Sequence, residues 1–228
     1  MHAMILAAGR GERMRPLTDI LPKPLLPVAG KPLIAWHLEK LALAGIRNVV
    51  INHAWLGNLI ESHLGNGAQF GLNIHYSAED TALETAGGIA KALPLLGADP
   101  FLVINGDVWC DWDVTQAHDL ATELKENAQL AWLLLVPNPP HHPQGDFELL
   151  ASGEVASGNS NCCTFSGIGI YDPALFATIA PNQPAKLAPL LRHAIASHAV
   201  SGKLYTGTWV DVGTPERLVA LDQQIKSK

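Results

Sequence analysis

The feature that most constrains this chain is the alternation of apolar runs with amphipathic segments over residues 1–110. Residues 3–8 contain no polar side chain, which is typical of a strand buried on both faces of a sheet. The same reasoning predicts strands at 48–52, 72–77 and 101–105, and helices at 32–45, 55–64 and 88–93. Alternating strands and helices predict an α/β fold with a parallel sheet and helices on both faces.

The second half of the chain, residues 111–228, is less regular. Strands are predicted at 130–136, 165–171 and 209–212, and helices at 186–198 and 214–224, the last of them capped by Thr214. Residues 137–145 contain four prolines and two histidines, which predicts a loop. No linker separates the halves, so we expect one domain over residues 1–228.

Composition and charge exclude several classes of protein. Among 228 residues, 15 are Lys or Arg and 21 are Asp or Glu, giving a net charge of −6. This balance disfavours sequence-independent nucleic-acid binding, which requires an excess of basic residues. Cys110, Cys162 and Cys163 form no disulfide framework, and no apolar run reaches the length of a membrane span. We expect a cytoplasmic monomer or small homo-oligomer with no nucleic-acid or membrane partner.

A glycine- and arginine-rich loop follows the first strand and reads L-A-A-G-R-G-E-R-M-R-P-L-T, then P-K-P-L. Gly9 and Gly11 would let backbone N–H groups approach an anion. Four cations accompany them in an acidic chain: Arg10, Arg13, Arg15 and Lys23. Because parallel sheets bind ligands beyond the carboxyl ends of their strands, the loop is predicted to bind phosphates. It is neither a Walker loop nor a dinucleotide fingerprint, since the glycine and lysine spacings differ.

Two carboxylates are predicted to stand at strand ends. Asp107 follows a buried strand in N-G-D, and Asp211 lies in W-V-D-V-G-T. Mg²⁺ favours one or two carboxylates together with phosphate oxygens. With the phosphate loop, these side chains predict a magnesium site.

The loop and several other segments resemble the sugar-1-phosphate nucleotidyltransferases. The other segments are L-E-T-A-G-G (83–88), N-G-D-V-W (105–109), F-S-G-I-G-I-Y-D-P (165–173) and W-V-D-V-G-T (209–214). The resemblance spans essentially the whole chain and implies a Rossmann-like, mostly parallel core, Mg²⁺, and the exchange of a nucleoside triphosphate and a sugar 1-phosphate for a nucleotide sugar and pyrophosphate. It makes residues 1–110 a nucleotide-binding half and residues 111–228 a sugar-binding half.

The resemblance also implies roles for individual residues. The nucleotide would be bound by Ala8, Gly9, Gly11, Glu12, Arg13, Lys23, Glu79, Gly87 and Gly88, with Arg10 wrapping beside them. Arg13 would hold the leaving pyrophosphate and Lys23 the α-phosphate region. Asp107 and Asp211 would hold the metal, and Arg13, Lys23 and Asp107 would be the catalytic residues. Since the substrate's own phosphate oxygen attacks, positioning and charge neutralisation are enough for catalysis.

The segment expected to bind the sugar phosphate departs from the family pattern. Members of the family carry a Glu-Lys-Pro segment before the strand at 165–171, and this chain has no lysine there. Lys186 or Arg192 could replace it. By position, Asn105, Gly145, Asp146 and Gly167 are expected to contact the sugar phosphate, whereas His141 and His142 are expected at the surface.

A narrower resemblance is to the short bacterial N-acetylmuramate-1-phosphate uridylyltransferases of cell-wall recycling. It is carried by I-N-H-A-W-L-G (51–57), L-E-T-A-G-G-I, N-G-D-V-W, Q-G-D-F and K-L-A-P-L-L-R. It implies UTP and N-acetyl-α-muramate 1-phosphate as substrates. The alternatives are a glucose-, mannose- or choline-phosphate transferase using UTP, dTTP, GTP or CTP, a non-catalytic nucleotide-sugar sensor, and an NAD-dependent enzyme. A sensor would be expected to lose the loop cations or the metal carboxylates, which are all present.

Overall fold

The computed structural model describes residues 1–158, 161–180 and 182–227; the polar segment 158–161, predicted as a turn, lies partly outside them. The strands are β1 (His2–Leu6), β2 (Pro27–Val28), β3 (Lys31–Pro32), β4 (Asn48–His53), β5 (Asn73–Ala78), β6 (Phe101–Asn105), β7 (Val108–Cys110), β8 (Ala131–Val136), β9 (Phe147–Leu149), β10 (Val155–Ala156), β11 (Cys162–Tyr171), β12 (Val200–Leu204) and β13 (Trp209–Asp211). The α-helices are α1 (Leu17–Ile20), α2 (Leu33–Leu43), α3 (Gly57–Leu64), α4 (Glu84–Leu96), α5 (Ala117–Glu126), α6 (Leu187–Ala196) and α7 (Pro215–Lys226).

The central sheet has the order β5-β4-β1-β6-β11-β8-β12. The pairs β5–β4, β4–β1, β1–β6 and β8–β12 are parallel. Only β11 runs against both of its neighbours in this order, and its first residues also pair with β9. The prediction of a mostly parallel sheet is therefore confirmed.

Helices cover both faces of the sheet, as predicted. On one face, α2, α3 and α5 bury Leu38, Ile60 and Leu124 in a single apolar core. On the other face, α4 and α6 bury Ile89 and Leu191 in a second core. Removing each such side chain from water contributes about 1.5–3 kcal/mol, so the two cores fix the sheet between its helices. Within the described residues, no helix is both long and apolar enough to cross a membrane.

A third apolar cluster joins the two ends of the chain. Leu218 and Leu221 of α7 pack with Met14 and Val28, which belong to the segment that follows β1. The backbone N–H of Ala29 also donates to Asp222 Oδ1 at 2.8 Å. Helix α7 therefore packs against the segment that contains the glycine- and arginine-rich loop and helps to hold it in place.

The His37 side chain is buried on α2, and its Nε2 has no hydrogen-bond partner in the described part of the chain. Burial, reinforced by the positive charge of Lys40, lowers the pKa of His37 to about 4. Since the folded-state pKa is depressed, the unfolded chain binds the proton more readily than the folded chain does. Stability is therefore complete above about pH 6.5 and falls as the pH drops toward about 4.

We expect His37→Leu to remove part of this acid sensitivity. The His37 contribution to the loss in free energy of unfolding between about pH 6.5 and 4 is about 3 kcal/mol. Urea unfolding of the wild type and the variant across this pH range measures it. The control is His63→Leu at an exposed position of α3, which should leave the pH dependence unchanged. Parallel pH curves for the wild type and His37→Leu would contradict the prediction.

Candidate functional site

Two cavities open beyond the carboxyl ends of the parallel strands, where ligands are expected in this type of sheet. The first cavity has a volume of about 470 Å³, and its polar or glycine lining includes Gly9, Gly11, Glu12, Arg13, Lys23, Asn52, Glu84, Thr85, Asn105, Asp107 and Gly213. The second cavity has a volume of about 390 Å³, and its polar or glycine lining includes Arg13, Asn105, Asp107, His141, His142, Thr164, Ser166, Gly167 and Asp211. Arg13, Asn105 and Asp107 line both, so the cavities meet at these residues.

The loop after β1 is held in a fixed turn at Gly11. Its backbone has a φ of 69°, and the Thr18 hydroxyl donates to the Gly11 carbonyl at 2.8 Å. A Cβ at Gly11 would lie 2.9 Å from Thr18 Cγ2, so a larger residue would disturb the turn. A Cβ at Gly9 would meet no heavy atom within 4 Å. The space beside Gly9 is therefore open, which a phosphate-binding loop requires.

The four cations of this loop divide into two pairs. Arg10 stacks 3.6 Å above the Trp55 ring centroid and lies 3.2 Å from Asp19, and Arg15 also reaches Asp19, at 2.8 Å. Arg10 and Arg15 line neither cavity, so they stabilise the loop rather than face the cavities. Arg13 is exposed at the junction of the cavities and has no hydrogen-bond or ion-pair partner within the described chain.

Lys23 is the second cation that lines the first cavity, and its side chain is almost completely buried. Its Nζ lies 2.7 Å from Asp107 Oδ2, and the side chain is only 9% exposed. Burying a lysine is costly unless the charge is paired, so the Asp107 carboxylate fixes the ammonium at the cavity wall. The two sequence-predicted residues, 84 positions apart, are thus brought together.

Asp107 and Asp211 are joined through the short antiparallel pair β7–β13. The N–H of Val212 donates to the Asp107 carbonyl at 2.9 Å. Asp211 Oδ2 lies 2.7 Å from Arg217 Nη1, and the same Nη1 lies 2.7 Å from His141 Nε2. Sequence reasoning missed Arg217, because its position on the first turn of α7 gives no local sign that it reaches a carboxylate six residues earlier.

The two carboxylates retain capacity for a hard cation. Each uses Oδ2 in its ion pair, and Oδ1 of each accepts no hydrogen bond from a residue that the structure describes. No cluster of three or more His, Cys, Asp or Glu side chains suited to a metal ion occurs among residues 1–158, 161–180 and 182–227. A cation here would have two protein carboxylates and would need other ligands as well, which suits Mg²⁺ bound together with phosphate oxygens.

The structure places Glu79, Gly87 and Gly88 outside both cavity linings. Asn52 Nδ2 donates to Glu79 Oε1 at 2.7 Å, and the N–H of Leu83 donates to Glu79 Oε2 at 2.8 Å. Glu79 is only 5% exposed, so both of its oxygens are engaged within the protein. A Cβ at Gly87 would lie 2.4 Å from the Gln183 carbonyl oxygen, which gives this glycine a packing role.

The neighbouring residues Glu84 and Thr85 line the first cavity instead. Both residues belong to the segment 83–88, in which the sequence predicted Gly87 and Gly88, rather than Glu84 and Thr85, as nucleotide-binding residues. Glu84 has a φ of 59°, an unusual backbone conformation for a residue other than glycine. Such conformations concentrate at ligand sites, and no sequence signal marks this one.

A pair of glycine substitutions separates packing from ligand contact in this site. A Cβ at Gly88 would lie 2.7 Å from Glu79 Oε1 and 2.8 Å from Asn52 Nδ2. Gly88→Ala is therefore expected to lower the free energy of unfolding by about 1–3 kcal/mol. Gly9→Ala should change it by less than about 0.5 kcal/mol while weakening nucleotide binding. Urea unfolding and nucleotide titration measure both effects, and unchanged stability of Gly88→Ala would contradict the packing role.

The predicted sugar-side residues are only partly brought together. Asn105 and Gly167 line the second cavity, and a Cβ at Gly167 would lie 2.6 Å from Asn105 Nδ2. Gly145 and Asp146 are not among its lining residues, and Asp146 Oδ2 accepts the Phe165 N–H at 2.8 Å. Lys186 and its alternative Arg192 are exposed on or beside α6 and line neither cavity. Neither cation is therefore placed to replace the lysine of the absent Glu-Lys-Pro segment as a ligand of the sugar phosphate.

The histidines of loop 137–145 were expected at the surface, and both of them line the second cavity. His141 is nonetheless exposed, and His142 is half-buried. In the sequence, these histidines are distinguished only by the prolines around them, which restrict the loop to few conformations.

The model of the Nucleotidyl transferase family matches residues 2–228. The chain belongs to this family. It is 58% identical over 221 residues to the N-acetylmuramate alpha-1-phosphate uridylyltransferase of Neisseria meningitidis, covering 96% of this chain and 95% of the relative. It is 34% identical to the protein of the same name from Caulobacter vibrioides, covering 98% of this chain and 96% of the relative. The resemblance seen in the sequence is confirmed, and this nucleotidyltransferase is an enzyme.

A solved structure supports the fold of this nucleotidyltransferase. A protein from Bacillus anthracis assigned as a glucose-1-phosphate thymidylyltransferase, crystallised in complex with sucrose, superposes with a TM-score of 0.87. The match covers 100% of this chain and 96% of the other chain at 23% sequence identity. At this identity the similarity shows a shared fold.

Proposed function

We propose that this nucleotidyltransferase converts UTP and N-acetyl-α-muramate 1-phosphate into UDP-N-acetylmuramate and pyrophosphate. The observation that carries the proposal is the 58% identity, over nearly the full length of both chains, to a relative that bears this activity in its name. The geometry agrees with a two-substrate reaction, because two cavities meet at Arg13, Asn105 and Asp107. Each substrate can occupy one cavity, with the reacting phosphates at the junction.

We place UTP in the first cavity. Backbone N–H groups of the loop at Gly9, Gly11 and Glu12 would bind its phosphates, and the open space beside Gly9 admits them. The base would lie toward Glu84 and Thr85 at the start of α4, which also line this cavity. The sugar 1-phosphate would then enter the second cavity.

The reaction we propose needs no nucleophilic side chain. An oxygen of the sugar phosphate forms a bond to the α-phosphorus of UTP, and the bond from that phosphorus to the β-phosphate oxygen breaks to release pyrophosphate. Arg13 and Lys23 would stabilise the negative charge that moves onto the leaving group. Lys23 suits this role because its pairing with Asp107 holds the ammonium in place before the substrate arrives.

Asp107 and Asp211 fit a magnesium ion, since each has one carboxylate oxygen that accepts no hydrogen bond from the described residues. When bound, Mg²⁺ would neutralise phosphate charge and so make the α-phosphorus easier to attack. Arg217 would keep the Asp211 carboxylate oriented toward the junction of the cavities.

A pyrophosphate-release assay tests the proposal. UTP, dTTP, GTP and CTP are each combined with the 1-phosphates of N-acetylmuramate, N-acetylglucosamine, glucose and mannose, with and without Mg²⁺. We expect the highest kcat/KM with UTP and N-acetylmuramate 1-phosphate, and dependence on Mg²⁺. Preference for another pair would support the alternative transferases, and absence of turnover with every pair would support a sensor. A place in peptidoglycan recycling and a cytoplasmic location remain part of the proposal.

A further inference from the structure

The proposed sugar substrate poses an electrostatic problem for the second cavity. N-acetylmuramate 1-phosphate carries a lactyl carboxylate in addition to its phosphate, and this inference rests on that proposed substrate. The cavity is already lined by two carboxylates, Asp107 and Asp211. An additional carboxylate in a partly closed cavity requires a charged or strong hydrogen-bond donor. Among its described lining residues, the basic side chains are Arg13, His141 and His142.

Two of these three basic side chains, Arg13 and His141, already have other partners or an expected role in binding phosphate. Arg13 stands at the junction of the cavities, where the phosphates of both substrates are expected. His141 Nε2 is 2.7 Å from Arg217 Nη1, and its position is therefore tied to the guanidinium that holds Asp211. The same Nε2 lies 3.4 Å from Asp211 Oδ2, so His141 already contacts a carboxylate of the site.

Three neutral donors of the cavity are buried or already hydrogen-bonded, and a fourth, the Asn105 amide, lies at the junction of the cavities, where the phosphates are expected. Ser166 is completely buried, and the Thr164 hydroxyl donates to Asn138 Oδ1 at 2.8 Å. Trp209 Nε1 donates to the Ser166 carbonyl at 2.8 Å. These groups therefore serve β11 and its surroundings rather than a ligand.

His142 is the basic side chain that remains, and the Asp146 carboxylate orients it. Its Nε2 lies 3.1 Å from Asp146 Oδ1, while Asp146 Oδ2 accepts the Phe165 N–H at 2.8 Å. Asp146 thereby connects the imidazole to the backbone of β11. His142 Nδ1 has no hydrogen-bond partner in the part of the chain that the structure describes.

We propose that His142 is the specificity-determining residue that binds the lactyl carboxylate of the sugar substrate, with Asp146 as its positioning residue. An imidazolium has one N–H on each ring nitrogen, so the ring can donate to Asp146 through Nε2 and to the ligand through Nδ1. A site with such a donor discriminates strongly between sugars that carry the carboxylate and sugars that lack it.

Two variants test the role of His142. His142→Phe keeps a ring but removes both donors, and Asp146→Asn keeps an acceptor for the Phe165 N–H but removes the charge that orients the histidine. The readouts are kcat and KM for each substrate, together with the inhibition constants of UDP-N-acetylmuramate and UDP-N-acetylglucosamine. These two products differ by the lactyl group, and both can be measured even where N-acetylglucosamine 1-phosphate reacts poorly.

We expect both variants to raise the KM of N-acetylmuramate 1-phosphate and the inhibition constant of UDP-N-acetylmuramate by about tenfold or more. The inhibition constant of UDP-N-acetylglucosamine and the KM of UTP should change less than about twofold. The control is His63→Phe on the exposed face of α3, outside both cavities. Thermal unfolding of each variant checks that the fold is retained.

Equal weakening of both products in His142→Phe, or no weakening of either, would overturn this inference. Neither result would affect the proposed function, which depends on turnover of N-acetylmuramate 1-phosphate by the wild type. A wild type that fails to use this substrate, by contrast, would refute the proposed function directly.

Discussion

The Asp107→Asn variant is expected to lose at least about 10²–10³-fold in kcat under saturating UTP and sugar 1-phosphate. Asp107 stands at the junction of the two cavities, fixes the Lys23 ammonium at 2.7 Å, and has a second oxygen available for a metal ion. Asparagine has nearly the same shape but no charge. It therefore weakens the attraction for both cations while preserving the β7–β13 pairing, which uses the backbone carbonyl of residue 107.

Mg²⁺-dependent pyrophosphate release measures the effect of Asp107→Asn, and circular dichroism checks the fold. The matched control is Asp113→Asn, because Asp113 is exposed and its carboxylate accepts only from the nearby Thr115 among the described residues. The control should retain wild-type kcat. An unchanged rate in Asp107→Asn would remove this carboxylate from the metal site.

The Lys23→Met variant is expected to lose about 2–4 kcal/mol of transition-state stabilisation. Methionine keeps an apolar stem in the buried position of Lys23 but cannot neutralise the charge that develops on the phosphates. The loss should appear mainly in kcat, because a fixed cation acts most strongly where charge develops during the reaction. The control is Lys31→Met, since Lys31 pairs with Glu39 and lines neither cavity.

Steady-state kinetics of Lys23→Met and of the double variant with Asp107→Asn measure this effect. Because the two side chains are in contact, their effects should not add, and the double variant should be less impaired than the product of the two single losses. A loss in Lys23→Met below about tenfold, or 1.4 kcal/mol, would contradict the proposed role.

The alternation of buried runs and amphipathic segments predicted the core of the fold because both signals reflect burial on two sides of a sheet. Strand β6 matches the prediction residue for residue, and β1 ends two residues earlier than predicted. Helix α5 and strand β12 are among the elements that the sequence pattern missed, and each was missed for a physical reason. Helix α5 is mostly polar and buries only Ala117, Ala121 and Leu124, and strand β12 has only Val200 buried. Short or exposed elements of this kind are determined by their neighbours rather than by local sequence.

Helix α4 illustrates a different limit. The prediction of 88–93 was too short, because glycine and proline are poor helix formers and the observed helix contains Gly87, Gly88 and Pro94. The glycines are accommodated since they allow close packing against Glu79, Asn52 and the segment around Gln183. Such contacts depend on the tertiary structure, which a local pattern does not contain.

In the candidate site, too, the sequence predicts the residues that stand in local motifs but not those that tertiary contacts bring in. Arg13, Lys23, Asp107 and Asp211 stand in motifs, and the structure assembles them around the junction of the cavities. Arg217 and His142, in contrast, reach the site from a distant helix and a proline-rich loop. Their side chains resemble ordinary surface residues in the sequence. Only three-dimensional proximity reveals that one contacts a predicted metal carboxylate and the other lines the second cavity.

The packing of α7 against the glycine- and arginine-rich loop has a consequence for biosynthesis. Met14 and Val28 emerge from the ribosome long before Leu218 and Leu221, the partners that bury them, because most of this sequence lies between the two pairs. A nascent chain therefore holds its substrate-binding loop without support until α7 has left the exit tunnel. Chains that terminate before α7 would expose this apolar surface and be targets for chaperones and proteases.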